Sequence, residues 1–151
     1  MINTVIKKLY IASDHAAYLA KNELKQFLAE EQIIVEDLGT HSEASCHYPQ
    51  YAMALSQKLQ HAEATTQGIL LCGSGIGVSM VANRYEWIRA ARCCSLQDAT
   101  MAKAHNNANV LCLGSRVNTI DEMKLMIKAW LETAFEGGRH LERINLFSRS
   151  N

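Results

Sequence analysis

The sequence of 151 residues lacks several features that would point to particular classes of protein. It has no excess of charge, because 15 acidic residues balance 15 basic ones, and so it gives no reason to expect binding to nucleic acid or to an anionic membrane. No apolar run approaches the roughly 20 residues of a membrane-spanning helix. The first residues do not form the pattern of a secretory signal peptide. We therefore expect a cytoplasmic protein with neither a nucleic-acid nor a membrane partner.

The cysteines and the single proline narrow the possibilities further. Five cysteines are an odd number and none forms a C-x-x-C pair, so we expect reduced thiols rather than a disulfide framework. His41, Cys46 and His47 lie close together, but their spacing matches no common zinc site, and we expect no metal. With one proline and no stretch rich in serine and glycine, no linker is visible. The whole chain, 1–151, is expected to form one domain.

Apolar residues recur with two different spacings along the chain. Short apolar runs predict strands at 9–12, from 33 to a stop at Gly39, at 69–72, at 88–94 and at 110–113. Helical spacing predicts helices at about 17–31, from 49, at 76–83, at 96–105, after a capping box at Thr119 and Glu122, and from 139 in a C-terminal arm over about 136–151. In the last two helices we expect Ala134 to face inward and His140, Ile144 and Phe147 to share one stripe. The alternation of apolar strands with helices predicts a mostly parallel five-stranded α/β sheet covered on both faces.

Polar residues follow these strands where each one ends. Right-handed crossovers place the carboxyl ends of parallel strands on one edge of the sheet, and ligands bind outside that edge. Four segments meet there: Asp14-His15, Gly39-Thr40, the loop after Cys72, and Gly114-Ser115-Arg116. His105-Asn106 ends a helix and falls on the opposite edge, so it would reach the same site only from a second subunit. The geometry therefore favours a dimer.

A glycine-rich loop, Gly73-Ser74-Gly75-Ile76-Gly77, follows the third strand and precedes a helix. Glycines let backbone N–H groups approach an anion closely, and the start of the helix adds positive potential. Val78 stands where a dinucleotide-binding G-x-G-x-x-G would have its third glycine, and there is no Gly-Lys-Ser/Thr of a Walker loop. We expect an anion-binding loop; the alternative is a tight turn that binds nothing.

Cys72 ends the third strand and opens this loop. A buried cysteine is more often part of a core than a catalyst. A position beside the start of a helix favours the thiolate, however, which can act as a nucleophile or as a base. The other cysteines have no such setting and are interpreted as structural: Cys46, Cys93, Cys94 and Cys112.

Three further groups of polar residues each have two interpretations. Asp14-His15 would either belong to a site or form a helix cap and a solvated turn. His105-Asn106 would either belong to a site or simply end a helix. Arg139 and Arg143 are four residues apart, so on a helix they would share one face, as a clamp for a phosphate or as a solvated basic surface.

Several short segments occur in a characteristic order over about 9–147, nearly the whole chain. They are Ser13-Asp14-His15-Ala16, Asp37-Leu38-Gly39-Thr40, Tyr48-Pro49-x-Tyr51-Ala52, Leu71-Cys72-Gly73-Ser74-Gly75-Ile76-Gly77, Ala82-Asn83, Ile88-Arg89-Ala90-Ala91, His105-Asn106, Gly114-Ser115-Arg116 and Phe135-Glu136-Gly137-Gly138-Arg139-His140. Together they resemble the type B ribose-5-phosphate isomerases, a family that also includes allose-6-phosphate isomerases and the subunits of galactose-6-phosphate isomerase. The resemblance implies a three-layer αβα sandwich with a Rossmann-like or flavodoxin-like sheet. It also implies a homodimer, or a dimer of dimers, with sites near the interface and no metal or organic cofactor.

The family resemblance also implies an aldose–ketose isomerase of carbohydrate metabolism, in the pentose phosphate pathway. Such an enzyme interconverts ribose 5-phosphate and ribulose 5-phosphate through an enediolate. By resemblance, Cys72 is the base that moves a proton between C1 and C2. Ser74 and the backbone N–H groups from Gly73 to Gly77 form the anion hole for the enediolate, whose stabilisation is usually the largest catalytic contribution. His105 assists ring opening, and Asp14 handles nearby hydroxyl protons.

The same resemblance assigns the groups that would hold the substrate. The sugar would be positioned by Tyr48 and Asn106. The phosphate would bind to four basic side chains: His15, Arg116, Arg139 and Arg143.

The chain departs from the family pattern at Ala17, His47, Trp87 and Asn107. Asn107 matters most, because an aspartate often stands there and could orient His105. Ring opening is therefore expected to be altered or to be supported by another group.

Two alternatives to the pentose phosphate activity stay open. One is isomerisation of a six-carbon substrate such as allose 6-phosphate or galactose 6-phosphate. The other is a non-catalytic module that binds a sugar phosphate or a nucleotide. The presence of Cys72, Ser74 and His105 together argues against the second, because a pure binder needs no base.

Overall fold

One parallel β-sheet forms the centre of the molecule, and its five strands are flanked by helices on both faces. The computed structural model describes residues 1–147; the last four positions of the predicted C-terminal arm, 148–151, lie outside the described residues. The strands are β1 (Lys8–Ser13), β2 (Ile34–Asp37), β3 (Thr66–Cys72), β4 (Ala90–Arg92) and β5 (Val110–Gly114). The helices are α1 (Tyr18–Glu30), α2 (Tyr48–Leu59), α3 (Ile76–Ala82), α4 (Leu96–Ala104), α5 (Ile120–Glu132) and α6 (Arg139–Ile144), and a 3-10 turn, His15–Ala17, precedes α1.

The strand order is β2-β1-β3-β5-β4, and every pair of neighbours is parallel. Helices α1, α4 and α5 pack on one face around Trp130, Leu24 and Met126, while α2 and α3 pack on the other around Leu55 and Val78. This confirms the predicted three-layer α/β sandwich. Each βα connection is consistent with the right-handed crossover rule, so the carboxyl ends of β1, β3 and β5 meet at one edge.

Local sequence signals explain where several helices begin. The predicted capping box of α5 is present: the Thr119 side chain accepts a hydrogen bond from the Glu122 N–H, and Glu122 accepts one from the Thr119 N–H. Ser95 and Asp98 form a second capping box at α4. Pro49 lies in the first turn of α2, where its missing N–H costs no helical hydrogen bond.

Two predicted boundaries are wrong for identifiable reasons. Strand β4 is much shorter than the predicted 88–94, because the N–H groups of residues 88 and 89 bond to Tyr85 and to the Asn109 side chain, while that of Cys94 bonds to Asp98 in the helix cap. Helix α5 ends at Glu132, so Ala134 is exposed rather than inward-facing. Of the stripe predicted for the last helix, His140 is buried, but Phe147 lies beyond α6 and is exposed.

Among residues 1–147, every helix is too short or too polar to cross a lipid bilayer. All five cysteines are free thiols.

Candidate active site

Cys72 lies at the carboxyl end of the central strand β3, between β1 and β5. Its side chain is almost fully buried, with 5% of the residue exposed. The sulfur accepts a hydrogen bond from the Gly75 N–H at 3.1 Å. A backbone donor aimed at a sulfur stabilises the thiolate, which is the basic form of the side chain. The position therefore suits a proton acceptor.

The loop after Cys72 is folded tightly against the end of β5. Gly75 has φ +76°, a left-handed conformation that side-chain-bearing residues rarely adopt. The Ser74 hydroxyl oxygen accepts the Ile76 N–H at 3.2 Å, which leaves the hydroxyl proton available for a ligand. Within the described residues, the N–H groups of Gly73 and Ser74 have no hydrogen-bond acceptor. The loop therefore offers several donors beside the Cys72 sulfur.

Two long side chains lie directly against the glycines of this loop. A Cβ atom at Gly77 would stand 2.5 Å from Cζ and 2.8 Å from the hydroxyl oxygen of Tyr48, so the Tyr48 ring occupies the space that a side chain would need. A Cβ atom at Gly73 would stand 3.0 Å from Nη1 of Arg116. The predicted site residues Tyr48 and Arg116 are thus brought to the two ends of the loop.

The end of β1 brings Asp14 and His15 to the same edge, because the Asp14 N–H bonds to the carbonyl of Leu71 on β3. Asp14 is buried and caps the 3-10 turn by accepting the Ala17 N–H at 3.3 Å. The helix-cap interpretation is therefore correct, although a cap still leaves a carboxylate oxygen for another partner. His15 Nδ1 lies 3.2 Å from the backbone nitrogen of Cys46, whose N–H donates to it.

That hydrogen bond selects the tautomer of the neutral His15 ring. Because Nδ1 accepts, the neutral ring carries its proton on Nε2 and can donate it to an anion. Sequence reasoning missed this role of Cys46, since residues 31 apart in the chain give no local signal of contact.

A buried ion pair stabilises the segment that follows β2 at this edge of the sheet. Lys21 is fully buried and its Nζ lies 2.6 Å from the Asp37 carboxylate; it also donates to the Thr40 carbonyl. Burial lowers the pKa of Lys21. Burial opposes ionisation of Asp37, yet hydrogen bonds from Lys21 and Lys25 hold the pKa of its carboxyl below the ordinary value. The pair holds Thr40, whose N–H bonds to the carbonyl of Ser13, next to Asp14.

Arg92 is a further residue that sequence reasoning missed. Its Nε donates to the Ser74 carbonyl at 3.0 Å, and its Cγ would lie 3.3 Å from a Cβ at Gly75. The Arg92 side chain therefore packs against the glycine-rich loop and stabilises its conformation through this hydrogen bond. The only sequence signal was an arginine at the end of a strand on the ligand-binding edge.

Two of the other thiols, Cys93 and Cys112, are buried in the core. Burial raises the pKa of Cys93 to about 12, and it raises that of Cys112 well above its ordinary value. Both therefore remain protonated near neutral pH. Their structural interpretation stands.

Four of the predicted site residues lie at the other edge of the sheet: His105, Asn106, Arg139 and Arg143. Gly114 pairs with Cys72 at the far end of β5, so the turn before Val110 is separated from the thiol by the length of that strand, roughly 13 Å or more. The arm after α5 joins this group, because the Glu136 N–H bonds to the carbonyl of Ala104. The structure thus divides the predicted residues into two sets at opposite edges.

Three residues of the second set, the two arginines and Asn106, are exposed to solvent. Arg139 and Arg143 are exposed on one face of α6, and Asn106 lines an open groove of about 960 Å³ between α6 and residues 83–91. Cys72 does not line this groove. Both arginines can therefore reach a ligand or another protein chain.

The turn that carries His105 and Asn106 is held by a buried cation. Lys103 is 6% exposed, and its Nζ donates to the carbonyl of Ala108 at 3.3 Å and lies 5.0 Å from the centre of the Trp130 ring. Trp130 Nε1 donates to the same carbonyl. Burial, with a smaller effect of Arg89, lowers the pKa of Lys103 to about 8.

One group of metal-ligating side chains occurs within residues 1–147, and the sequence did not suggest it. Ligand atoms of His105, Glu136 and His140 lie within 4.8 Å of one another. The two imidazole rings are stacked, with centroids 4.3 Å apart and planes 8° from parallel. Their nitrogen lone pairs therefore run side by side instead of converging on one ion, and the arrangement suits shared protons better than a metal.

Comparison with known proteins identifies relatives along nearly the whole chain. The model of the Ribose/Galactose Isomerase family matches residues 9–147. Ribose-5-phosphate isomerase B of Escherichia coli (strain K12) is 37% identical over 139 residues, which cover 92% of this chain and 93% of that protein.

Solved structures agree with the sequence relatives. A ribose 5-phosphate isomerase from Thermotoga maritima is 44% identical and superimposes with a TM-score of 0.88, covering 93% of this chain and 96% of that one. A ribose-5-phosphate isomerase B from Mycoplasma genitalium, solved with bound ribulose-5-phosphate, is 39% identical with a TM-score of 0.88 and covers 91% of each chain. These similarities confirm the predicted family and fold class.

Proposed function

Because the chain belongs to the ribose/galactose isomerase family, we propose that it interconverts ribose 5-phosphate and ribulose 5-phosphate through an enediolate. The observation that carries the proposal is the contact between the Gly75 N–H and the Cys72 sulfur, 3.1 Å. A backbone donor beside the sulfur, at the start of a loop with further free donors, supports the assignment of Cys72 as the base and of the loop as the anion hole. We also place the activity in the cytoplasm, where five free cysteines are expected to stay reduced.

Cys72 acts as a proton shuttle in this mechanism. The thiolate takes the proton from the carbon next to the carbonyl of the open-chain sugar, and the same thiol returns it to the neighbouring carbon. The negative charge that develops on the carbonyl oxygen is stabilised by the Ser74 hydroxyl and by N–H groups of the loop from Gly73 to Gly77. Within residues 1–147, the N–H groups of Gly73 and Ser74 are the free donors for this role, since those of Gly75 and Ile76 donate to Cys72 and to the Ser74 hydroxyl. Preorganised donors of this kind each contribute about 3–4 kcal/mol to the lowering of a barrier.

The groups around the loop hold the substrate. The Tyr48 ring, packed against Gly77, positions the sugar, and the buried Asp14 exchanges protons with its hydroxyl groups. His15, with its Nε2 proton, and Arg116, beside Gly73, bind the phosphate.

A complete site needs the second set of residues from a partner. His105 for ring opening, Asn106 for the sugar, and Arg139 and Arg143 for the phosphate all lie at the other edge of their own subunit. We propose that a second copy of the chain supplies them, so that a homodimer carries two shared sites. The exposure of the α6 arginines and the open groove beside Asn106 support this arrangement.

Turnover of the purified protein with ribose 5-phosphate, allose 6-phosphate and galactose 6-phosphate, measured side by side, tests the substrate. We expect the pentose phosphate to have the highest kcat/KM. Preference for a six-carbon sugar phosphate would support the alternative of an allose- or galactose-6-phosphate isomerase. No turnover of any of the three substrates would favour a non-catalytic binding module. Cys72→Ala should abolish turnover while ribose 5-phosphate still binds; near-normal turnover would remove Cys72 as the base.

Mixing two inactive variants tests the shared site. Cys72→Ala and His105→Ala are each expected to be inactive, but a hybrid dimer of the two would contain one intact site. Random reassortment should therefore restore about a quarter of the wild-type activity. No restoration after verified exchange of subunits, or full activity of a monomer in sedimentation, would show that each chain carries its own complete site.

A further inference from the structure

The carboxylate of Glu136 lies beside two imidazole rings at the start of the C-terminal arm. Its Oε2 is 3.3 Å from Nε2 of His140 and 3.6 Å from Nε2 of His105. His140 is buried and its ring stacks on that of His105. One carboxylate oxygen therefore faces the same nitrogen of both rings.

The backbone fixes this group independently of any ligand. The Glu136 N–H bonds to the carbonyl of Ala104, directly before His105, at 3.0 Å. Gly137 and Gly138, both at positive φ, then turn the chain into α6. His140, the buried residue of α6, lies in its first turn with its ring stacked on that of His105. The backbone of the arm and the buried ring of His140 therefore set the position of this contact, although the Glu136 side chain itself is exposed.

A carboxylate beside one ring nitrogen favours the tautomer with the proton on that nitrogen. For His105 this is Nε2, which leaves Nδ1 unprotonated in the neutral ring. Within the described residues, Nδ1 of His105 has no hydrogen-bond partner, so it is free to act on a substrate. The neighbouring residue on the other side of the turn, Asn107, offers no carboxylate.

We propose that Glu136 is the positioning residue that sets the tautomer and ring orientation of His105 for opening the sugar ring. This inference rests on the proposed function of the same site. During ring opening the C1 hydroxyl loses its proton, the bond from C1 to the ring oxygen breaks, the C1 carbonyl forms, and the proton ends on the former ring oxygen. Nδ1 of His105 carries that proton, and the Glu136 carboxylate, 3.6 Å from Nε2, keeps Nδ1 available because its charge favours the proton on Nε2.

Glu136→Gln tests the proposal, because it keeps the shape of the side chain and removes its charge. Ribose 5-phosphate must be opened before it reacts, whereas ribulose 5-phosphate cannot close into a furanose ring, since its C5 oxygen carries the phosphate. We expect turnover of ribose 5-phosphate to fall by about 10- to 100-fold, as is usual when an orienting partner is removed. Exchange of the C1 hydrogen of ribulose 5-phosphate in D₂O, followed by NMR, should stay within about twofold of wild type, because the open-chain sugar needs no ring opening by His105 before the thiolate takes its C1 proton.

The matched control is Glu142→Gln, a nearby acidic side chain that is exposed on α6. It should leave both rates unchanged. Nitrogen-15 NMR gives a readout apart from activity: the Nε2–H tautomer of His105 should dominate in the wild type and in Glu142→Gln, and lose its preference in Glu136→Gln.

Three results would overturn the proposal: unchanged turnover in Glu136→Gln, an equal loss of turnover and exchange, or an unchanged tautomer of His105. Failure of the underlying function would look different. In that case the wild type itself would neither turn over ribose 5-phosphate nor exchange the C1 hydrogen of ribulose 5-phosphate.

Discussion

Replacing Lys103 by methionine should make the protein more stable at neutral pH. Lys103 is 6% exposed, no carboxylate within the described residues pairs with it, and one backbone carbonyl is its hydrogen-bond acceptor. Burial lowers its pKa from the ordinary value of 10.5 to about 8. The difference corresponds to a cost of about 3 kcal/mol in the free energy of unfolding when the side chain is charged in both states.

The sign of the pH dependence follows from that lowered pKa. Below about pH 8 the lysine is protonated in the folded and unfolded states, and the folded state carries the full cost of burying the charge. Between that pH and 10.5 the unfolded chain binds a proton that the folded chain does not, so stability rises with pH. The cost disappears above the ordinary pKa, where the lysine is neutral in both states.

Urea unfolding of the wild type and Lys103→Met at several pH values isolates this contribution, because all other titrating groups are common to both proteins. Methionine keeps the length of the side chain but loses the hydrogen bond to Ala108, so the advantage of the variant at pH 7 should be at most about 3 kcal/mol. That advantage should shrink by roughly 2 kcal/mol between about pH 7 and pH 9.5. Lys128→Met, an exposed lysine on α5, is the matched control and should show no such change. A difference between wild type and Lys103→Met that does not vary with pH would refute the lowered pKa.

Two further substitutions test the support of the carboxyl edge. Gly77→Ala should lower turnover by more than about tenfold with the fold retained in circular dichroism, because the added methyl would stand 2.5 Å from the Tyr48 ring and displace it; unchanged turnover would mean that Tyr48 is not needed in its present place. Asp37→Asn should destabilise the protein by about 3–5 kcal/mol in urea unfolding, since it leaves the buried Lys21 without its carboxylate; a loss below about 1 kcal/mol would show that the charge finds another partner or becomes neutral.

The carboxyl-edge part of the site could be predicted from sequence because its signals are local. Cys72 and its glycine loop belong to one strand–turn–helix segment, and the alternation of strands and helices decides on which edge that segment lies. The same rule correctly separated His105 from Cys72. Contacts between distant segments could not be predicted in this way: Tyr48 against Gly77, and Arg92 on the Ser74 carbonyl, depend on how α2 and β4 pack against the loop.

The errors share a physical cause, which is competition for backbone hydrogen bonds at element ends. Residues 88–94 have the apolar composition of a strand, but the Asn109 side chain and the cap of α4 take the N–H groups at its two ends. Helix α5 stops early because Thr133, whose hydroxyl bonds to the Ala129 carbonyl, adopts an extended conformation. The spacing of apolar residues does not reveal which side chains will compete for these backbone hydrogen bonds, so it cannot predict where such elements end.

The division of the proposed site between two edges separates two steps of the reaction. The groups assigned to enediolate chemistry sit on the central strand and are fixed by the buried core and by the pair of Lys21 and Asp37. The groups assigned to ring opening sit on a helix end and an arm, and Glu136 orders them within their own subunit. Assembly of the dimer would therefore not create either half; it would bring two preformed halves to one substrate. It follows that weakening the dimer should abolish turnover of the cyclic aldose phosphate, which needs His105 from the partner. C1 exchange of the open-chain ketose phosphate should persist at saturating substrate with a raised KM, because Asn106, Arg139 and Arg143 are lost together with the partner.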